Sequence, residues 1–265
     1  MRLRLLALGL GLAVLLAARL AHAVNPEHCA MVANGSASVV SFHAQASDGR
    51  GVALNGILFG PLNKPKTAAV VMLPGSNGLI VPYCYGAIAR QFADLGLVSL
   101  IVAPTTARDQ NGRQLSNYSF SDLARYADGA ADALAGFEHV DGNRIGLWGH
   151  SRGGLAVIEA IAADAAGRFP FVAAVATAPI CPAKARQPRV PMLLMIGEKD
   201  TEVSVKSCVR FAEMQAHVAT FDFQLLPKAG HSFWAPGTAG YVAASAHLAT
   251  TRLQTFLAKH RLHLP

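Results

Sequence analysis

Short apolar runs alternate with stretches in which apolar side chains recur every three or four positions. Strands are predicted at 68–73, 97–103, 145–150, 171–178, 191–196 and 221–226, the first as a continuous apolar run of the kind buried on both faces of a parallel sheet and the second as the next buried strand. Between them, helical spacing places a helix at 85–95, with Ile88, Phe92 and Leu95 on one face and Gly96 closing it. Further helices are predicted at 120–137, capped by Ser119 or Ser121, and at 154–163, 203–218 and 241–257. Ahead of these, β-rich runs at 38–46 and 52–59 flank Asp48-Gly49, a hairpin turn signal. The pattern specifies an α/β fold: a mostly parallel central sheet, helices on both faces and an antiparallel hairpin at the start.

The connections differ in character. Pro74-Gly75-Ser76-Asn77-Gly78 is too glycine-rich for regular structure. The segment 104–117, rich in Thr, Arg, Asn and Gln, reads as a long irregular loop at the carboxyl edge of the sheet, where long loops often carry function. Prolines punctuate 179–190, and the tail 260–265 reads as frayed, with His260 and His263 on the surface. There is no internal repeat and no low-complexity segment.

The first residues stand apart. Arg2 and Arg4 precede an apolar run at 5–18, and Ala21-His22-Ala23 offers the small residues that a signal peptidase reads. Residues 1–23 are therefore expected to be a cleaved signal peptide, leaving no stable membrane anchor, and 24–265 a single exported domain, periplasmic or secreted. After cleavage the chain would carry 20 basic against 16 acidic side chains, a net of +4, scattered rather than clustered. That balance gives no footprint for nucleic acid. The four cysteines, Cys29, Cys84, Cys181 and Cys208, suit an oxidising compartment. Of three possible pairings, Cys181–Cys208 with Cys29–Cys84 is preferred, because Cys181 follows one predicted strand and Cys208 lies in the helix after the next. Four buried thiols are the alternative. No CxxC or Cys/His cluster suggests a metal.

Chemistry concentrates at Gly149-His150-Ser151-Arg152-Gly153-Gly154, where a strand gives way to a helix around one serine. Such an elbow holds the serine in a strained backbone, so small residues must flank it; Gly149 and Gly153 meet that need, with Gly154 in reserve. The GxSxG string alone is weakly specific, but a serine hydroxyl also needs a base and a group to orient it. Gly197-Glu198-Lys199-Asp200 and Ala229-Gly230-His231-Ser232-Phe233 supply them at two later strand ends. The order Ser151, Asp200, His231 gives nucleophile, acid and base, with Glu198 and Glu202 as alternative acids. His150 reads as a packing residue, since neighbours on a strand point to opposite faces. His139 and His217 read as helix-end or surface groups. The oxyanion hole would combine the backbone N–H groups of Arg152 and Ser76. Arg152, Arg108 and Arg113 have side chains suited to a substrate carboxylate, although surface charge is the plainer reading. Trp234 is either a pocket wall or core.

These segments together resemble the α/β-hydrolase superfamily and, within it, the dienelactone hydrolase family. Leu73–Gly78 matches the oxyanion loop, Gly149–Gly154 the elbow, Gly197–Asp200 the acid turn and Ala229–Phe233 the base turn. The resemblance spans nearly all of the chain beyond the leader. It implies hydrolysis of a small-molecule ester or lactone through an acyl-enzyme, without metal or cofactor. The enzymes that give the family its name use cysteine, whereas this chain has Ser151, which puts dienelactone itself in question as substrate. The double-glycine elbow also looks like that of secreted polyester hydrolases related to cutinase. A polyester hydrolase, an acyltransferase, a peptidase of the same fold and a non-catalytic binding protein remain open alternatives, as does oligomeric state.

Overall fold

A computed structural model describes residues 37–62, 66–76, 78–79, 85–165 and 169–262. Strands β1 (Ala37–Gln45) and β2 (Gly51–Phe59) form the expected hairpin, turned at Gly49 with φ 85°. Strand β3 (Thr67–Leu73) leads to helix α1 (Tyr85–Asp94), β4 (Val98–Arg108), helix α2 (Phe120–Ala135) and β5 (Val140–His150). Helix α3 (Arg152–Ala160), β6 (Phe171–Thr177), β7 (Met192–Gly197), α4 (Val205–Met214), β8 (Phe221–Leu226) and α5 (Ala243–Lys259) complete the order.

The strands make one eight-stranded sheet in the order β1-β2-β4-β3-β5-β6-β7-β8. β1/β2 and β2/β4 are antiparallel, and every pair from β4 across to β8 is parallel. Strand alternation divides the interior in two. Ala69, Val71 and Leu73 face a core with Leu123 and Ala127 of α2, Val157 of α3 and Phe211 of α4. Ala68, Val70 and Met72 face the other, with Ile88 and Phe92 of α1 and Leu253 and Phe256 of α5. Two helical layers thus bury both faces of the sheet. The carboxyl ends of β3, β5, β6, β7 and β8 share one edge, and the candidate residues follow those ends.

Local chemistry sets the ends. Gly96, at φ 78°, ends α1 as Leu97 N–H returns to Phe92 O at 2.9 Å and Gly96 N–H to Ala93 O at 2.9 Å. Ser119, rather than Ser121, caps α2, in a reciprocal box with Asp122. Asp122 also accepts from the Ser47 N–H and hydroxyl at 2.8 and 2.6 Å, tying the first hairpin to α2.

Two expectations are corrected. The segment 104–117 is not wholly irregular: β4 continues through Arg108, paired to Ala53, and Arg108 bridges Gln114 across a tight turn. Nor is the tail frayed as far as Leu262, which is buried, with a methyl 2.7 Å from where a Cβ on Gly146 would stand. Arg144 Nε holds the same tail by donating to Arg261 O at 2.9 Å. His263 lies outside the described residues. Cys181 and Cys208 form a disulfide with their Cα atoms 5.0 Å apart, joining the β6 exit to α4. Cys29, Cys84 and the leader 1–23 lie outside the described residues.

Candidate active site

β5, buried from Ile145 onward, ends at His150, and α3 starts at Arg152, leaving Ser151 at the corner with φ 56° and ψ −117°. Few non-glycine residues adopt such angles, and the surroundings impose them. A Cβ on Gly149 would lie 2.3 Å from Gly153 O, and one on Gly153 would lie 2.2 Å from Leu73 O. Gly154 is no reserve: its Cβ would come within 2.8 Å of Pro179. The three glycines let backbone from β3, β5 and the β6 exit meet at the serine. Ser151 N–H donates to Thr177 O at 2.9 Å, and its carbonyl accepts the first rung of α3 from Leu155 at 3.1 Å. The Arg152 N–H therefore stands ahead of the helical ladder, at the positive end of the α3 dipole.

The loop after β3 backs onto this corner. A Cβ on Gly75 would lie 3.3 Å from Ser151 Cβ, and the Gly75 N–H is already given to Tyr85 Oη at 2.8 Å. Tyr85 is buried and braces the loop. Gly78 N–H closes the turn on Gly75 O at 3.0 Å, with Ser76 at its exposed tip.

Asp200 and His231 come from the two turns at the ends of β7 and β8. A Cβ on Gly197 would meet Ala229 O at 2.3 Å, so glycine lets the turns lie backbone to backbone. Lys199 N–H donates to Ala229 O at 2.8 Å, locking them together. Asp200 Oδ1 accepts the N–H groups of Glu202 and Val203 at 2.9 and 3.0 Å, while Oδ2 sits 2.8 Å from His231 Nδ1. Both residues are buried. A carboxylate oxygen that accepts here fixes the proton on Nδ1 and leaves Nε2 with its lone pair. Of the other acids, Glu198 accepts the Lys228 N–H at 2.8 Å, and Glu202, on an exposed side chain, lies 3.7 Å from His231 Nε2.

His231 reaches the elbow through His150, the residue before Ser151, with ring centroids 4.8 Å apart. His150 is buried and stacks on Trp148, so it packs as expected. Burial, reinforced by the neighbouring His231, pushes its pKa down to about 3. An unfolded histidine near 6.5 takes up a proton that native His150 refuses. The stability this implies is whole above 6.5 and is lost as pH falls toward 3, at a slope of up to about 1 kcal/mol per pH unit. Urea unfolding of wild type and His150→Phe between pH 4 and 7 checks this, and equal acid slopes for the two proteins would refute it.

The remaining candidates have other occupations. Arg152 Nη2 donates to Tyr118 O, and its guanidinium lies 4.7 Å over the Tyr118 ring, clamping the approach to α2. Arg108 Nη1 donates to Gly112 O at 2.9 Å, closing its own turn, and Arg113 is exposed on that turn. β3 separates their strand from β5. Trp234 is buried in the core against Phe233, ring centroids 4.9 Å apart. Among the described residues no group of three or more His, Cys, Asp or Glu is placed to hold a metal ion.

The sheet order, the layered helices and a serine corner at the carboxyl edge define an α/β-hydrolase fold. The fold recurs in solved structures at TM-scores of 0.60 to 0.64. A dienelactone hydrolase-like promiscuous phosphotriesterase from metagenomic libraries is 20% identical at TM-score 0.63, over 85% of this chain and 99% of its own. An α/β hydrolase from Penicillium sp. is 18% identical at 0.64, over 84% and 98%. A thermophilic esterase from Thermogutta terrifontis is 18% identical at 0.60, over 84% and 93%. The family model of the dienelactone hydrolase family matches residues 54–261, and the chain belongs to that family. Membership supports ester hydrolysis. No curated protein matches the chain.

Proposed function

We propose that this protein is an exported serine carboxylesterase, acting through an acyl-enzyme on Ser151. The observation that carries the reading is the buried His231–Asp200 pair, 2.8 Å apart, its imidazole lying against His150, the residue before a serine at φ 56°. His231 Nε2 takes the Ser151 proton as Oγ attacks the ester carbonyl, and Asp200 holds the ring in the tautomer that permits this. The Arg152 and Ser76 amides receive the charge that develops on the carbonyl oxygen. The protonated histidine releases the alcohol, and water activated by the same ring frees the acid. The substrate is a small ester or lactone.

Export rests on the leader 1–23 and on the Cys181–Cys208 disulfide, which persists in oxidising compartments. One experiment covers both parts. Protein from an exporting culture is treated with an alkyl phosphonate probe, assayed on p-nitrophenyl esters of increasing chain length and weighed intact before and after peptide mapping. The expected result is turnover, a single phosphonate on Ser151 and a mass that begins at Val24. A folded protein that neither labels nor turns over would sink the esterase reading and favour a binding protein; a mass retaining the leader would sink export alone.

A further inference from the structure

Thr177, at the carboxyl end of β6, is fully buried and pairs in register with His150. It touches three consecutive residues of the elbow. Its carbonyl accepts the Ser151 N–H at 2.9 Å, its hydroxyl oxygen lies 3.0 Å from Gly149 O, and the same oxygen lies 3.2 Å from His150 Nδ1. Only the first of these belongs to the parallel ladder. A hydroxyl has one proton and a carbonyl can only accept, so the Thr177 proton goes to Gly149 O and its oxygen accepts from His150 Nδ1–H. That assignment sets the His150 tautomer, and the His150 ring is the one against which His231 lies. On its other side Thr177 is anchored by the next residue, Ala178, at φ 43°, whose N–H donates to Met195 O on β7 at 2.7 Å.

We infer that Thr177 is a positioning residue for the nucleophile, its side chain and carbonyl gripping the elbow before and after His150 and so holding Ser151 in its strained conformation. A turn kept at unfavourable angles relaxes unless it is held from both ends, and Thr177 is one residue that holds both. The inference rests on Ser151 being the nucleophile. Its consequence is kinetic. Loss of the hydroxyl removes its bonds to Gly149 O and His150 Nδ1, the corner relaxes, and the serine oxygen moves off the line of attack while the substrate pocket is unchanged.

The test compares Thr177→Val, which keeps the shape and removes the hydroxyl, with Thr177→Ser, which keeps the hydroxyl. Steady-state kinetics on a short p-nitrophenyl ester, the rate constant for phosphonate labelling and the melting temperature are measured for each. For valine, kcat and the labelling rate are expected to fall together by about 30- to 100-fold with KM within about twofold, as a misplacement of order 1 Å would produce. Serine is expected to stay within about threefold of wild type. Should valine not fold, the Thr177→Ala and Thr177→Ser pair, alike in lacking the methyl group, reads the same contrast. A folded valine variant with near-normal kcat overturns the inference, as does a serine variant as slow as valine or a loss confined to KM. Wild type that neither labels nor turns over overturns the esterase reading, and this inference with it.

Discussion

Ser151→Ala is expected to lower kcat for ester hydrolysis by roughly 10⁵- to 10⁶-fold and to abolish phosphonate labelling, because the proposed acyl bond forms on the hydroxyl that alanine lacks. Ser151→Gly should be equally inactive yet more stable than alanine by about 1 kcal/mol. The angles φ 56° and ψ −117° are those of the first corner of a type II′ turn, a position suited to glycine. A side chain there costs about 1–3 kcal/mol, and the extra freedom glycine has when unfolded returns part of that. The native protein therefore carries strain at the one residue whose hydroxyl must project from the sheet. Residual hydrolysis by Ser151→Ala within tenfold of wild type would remove Ser151 from the chemistry. A glycine variant no more stable than alanine would remove the strain argument and leave the chemistry standing.

What the sequence revealed follows from which forces are local. β8 was legible at 221–226, and Ser151, Asp200 and His231 follow the ends of β5, β7 and β8 because residues just past parallel strand ends share an edge. The overlong loop at 104–117 was misread because β4 turns polar and partly exposed at Thr105 and Thr106 and reaches Arg108 by pairing with β2, a partner that hydropathy does not record. The helix expected to reach residue 163 stops at Ala160 because Ala163 N–H turns aside to Gln187 O at 2.8 Å. The buried end of the tail depends on a space that exists only because residue 146 lacks a side chain. Arg152 shows the same limit at the site. Its position beside Ser151 allowed a substrate contact, with surface charge the plainer reading, and only the fold brings Tyr118 under its guanidinium. Thr177 ends a wholly apolar run, 171–176, and that lone hydroxyl at a strand terminus was the available sign of its contacts.

Asp200→Asn is expected to lower kcat by about 10⁴-fold while leaving KM and the fold nearly unchanged. The magnitude follows from the direction in which the new amide must face. Asp200 Oδ1 accepts two backbone N–H groups, from Glu202 at 2.9 Å and Val203 at 3.0 Å. An asparagine keeps both bonds only by leaving its carbonyl oxygen there, which turns its NH₂ toward His231 Nδ1. A donor facing Nδ1 makes that nitrogen the acceptor and moves the ring proton to Nε2, where it blocks uptake of the Ser151 proton. Turning the amide the other way would restore the ring tautomer and set NH₂ against two N–H donors in a buried turn, at a cost of about 1–3 kcal/mol for each bond lost. Glu202→Gln, on an exposed carboxylate 3.7 Å from Nε2, should change kcat by less than about threefold. Together the two variants separate orientation from nearby charge. If Asp200→Asn retains a tenth of wild-type kcat, or if Glu202→Gln is the more damaged of the two, the acid has been assigned to the wrong carboxylate.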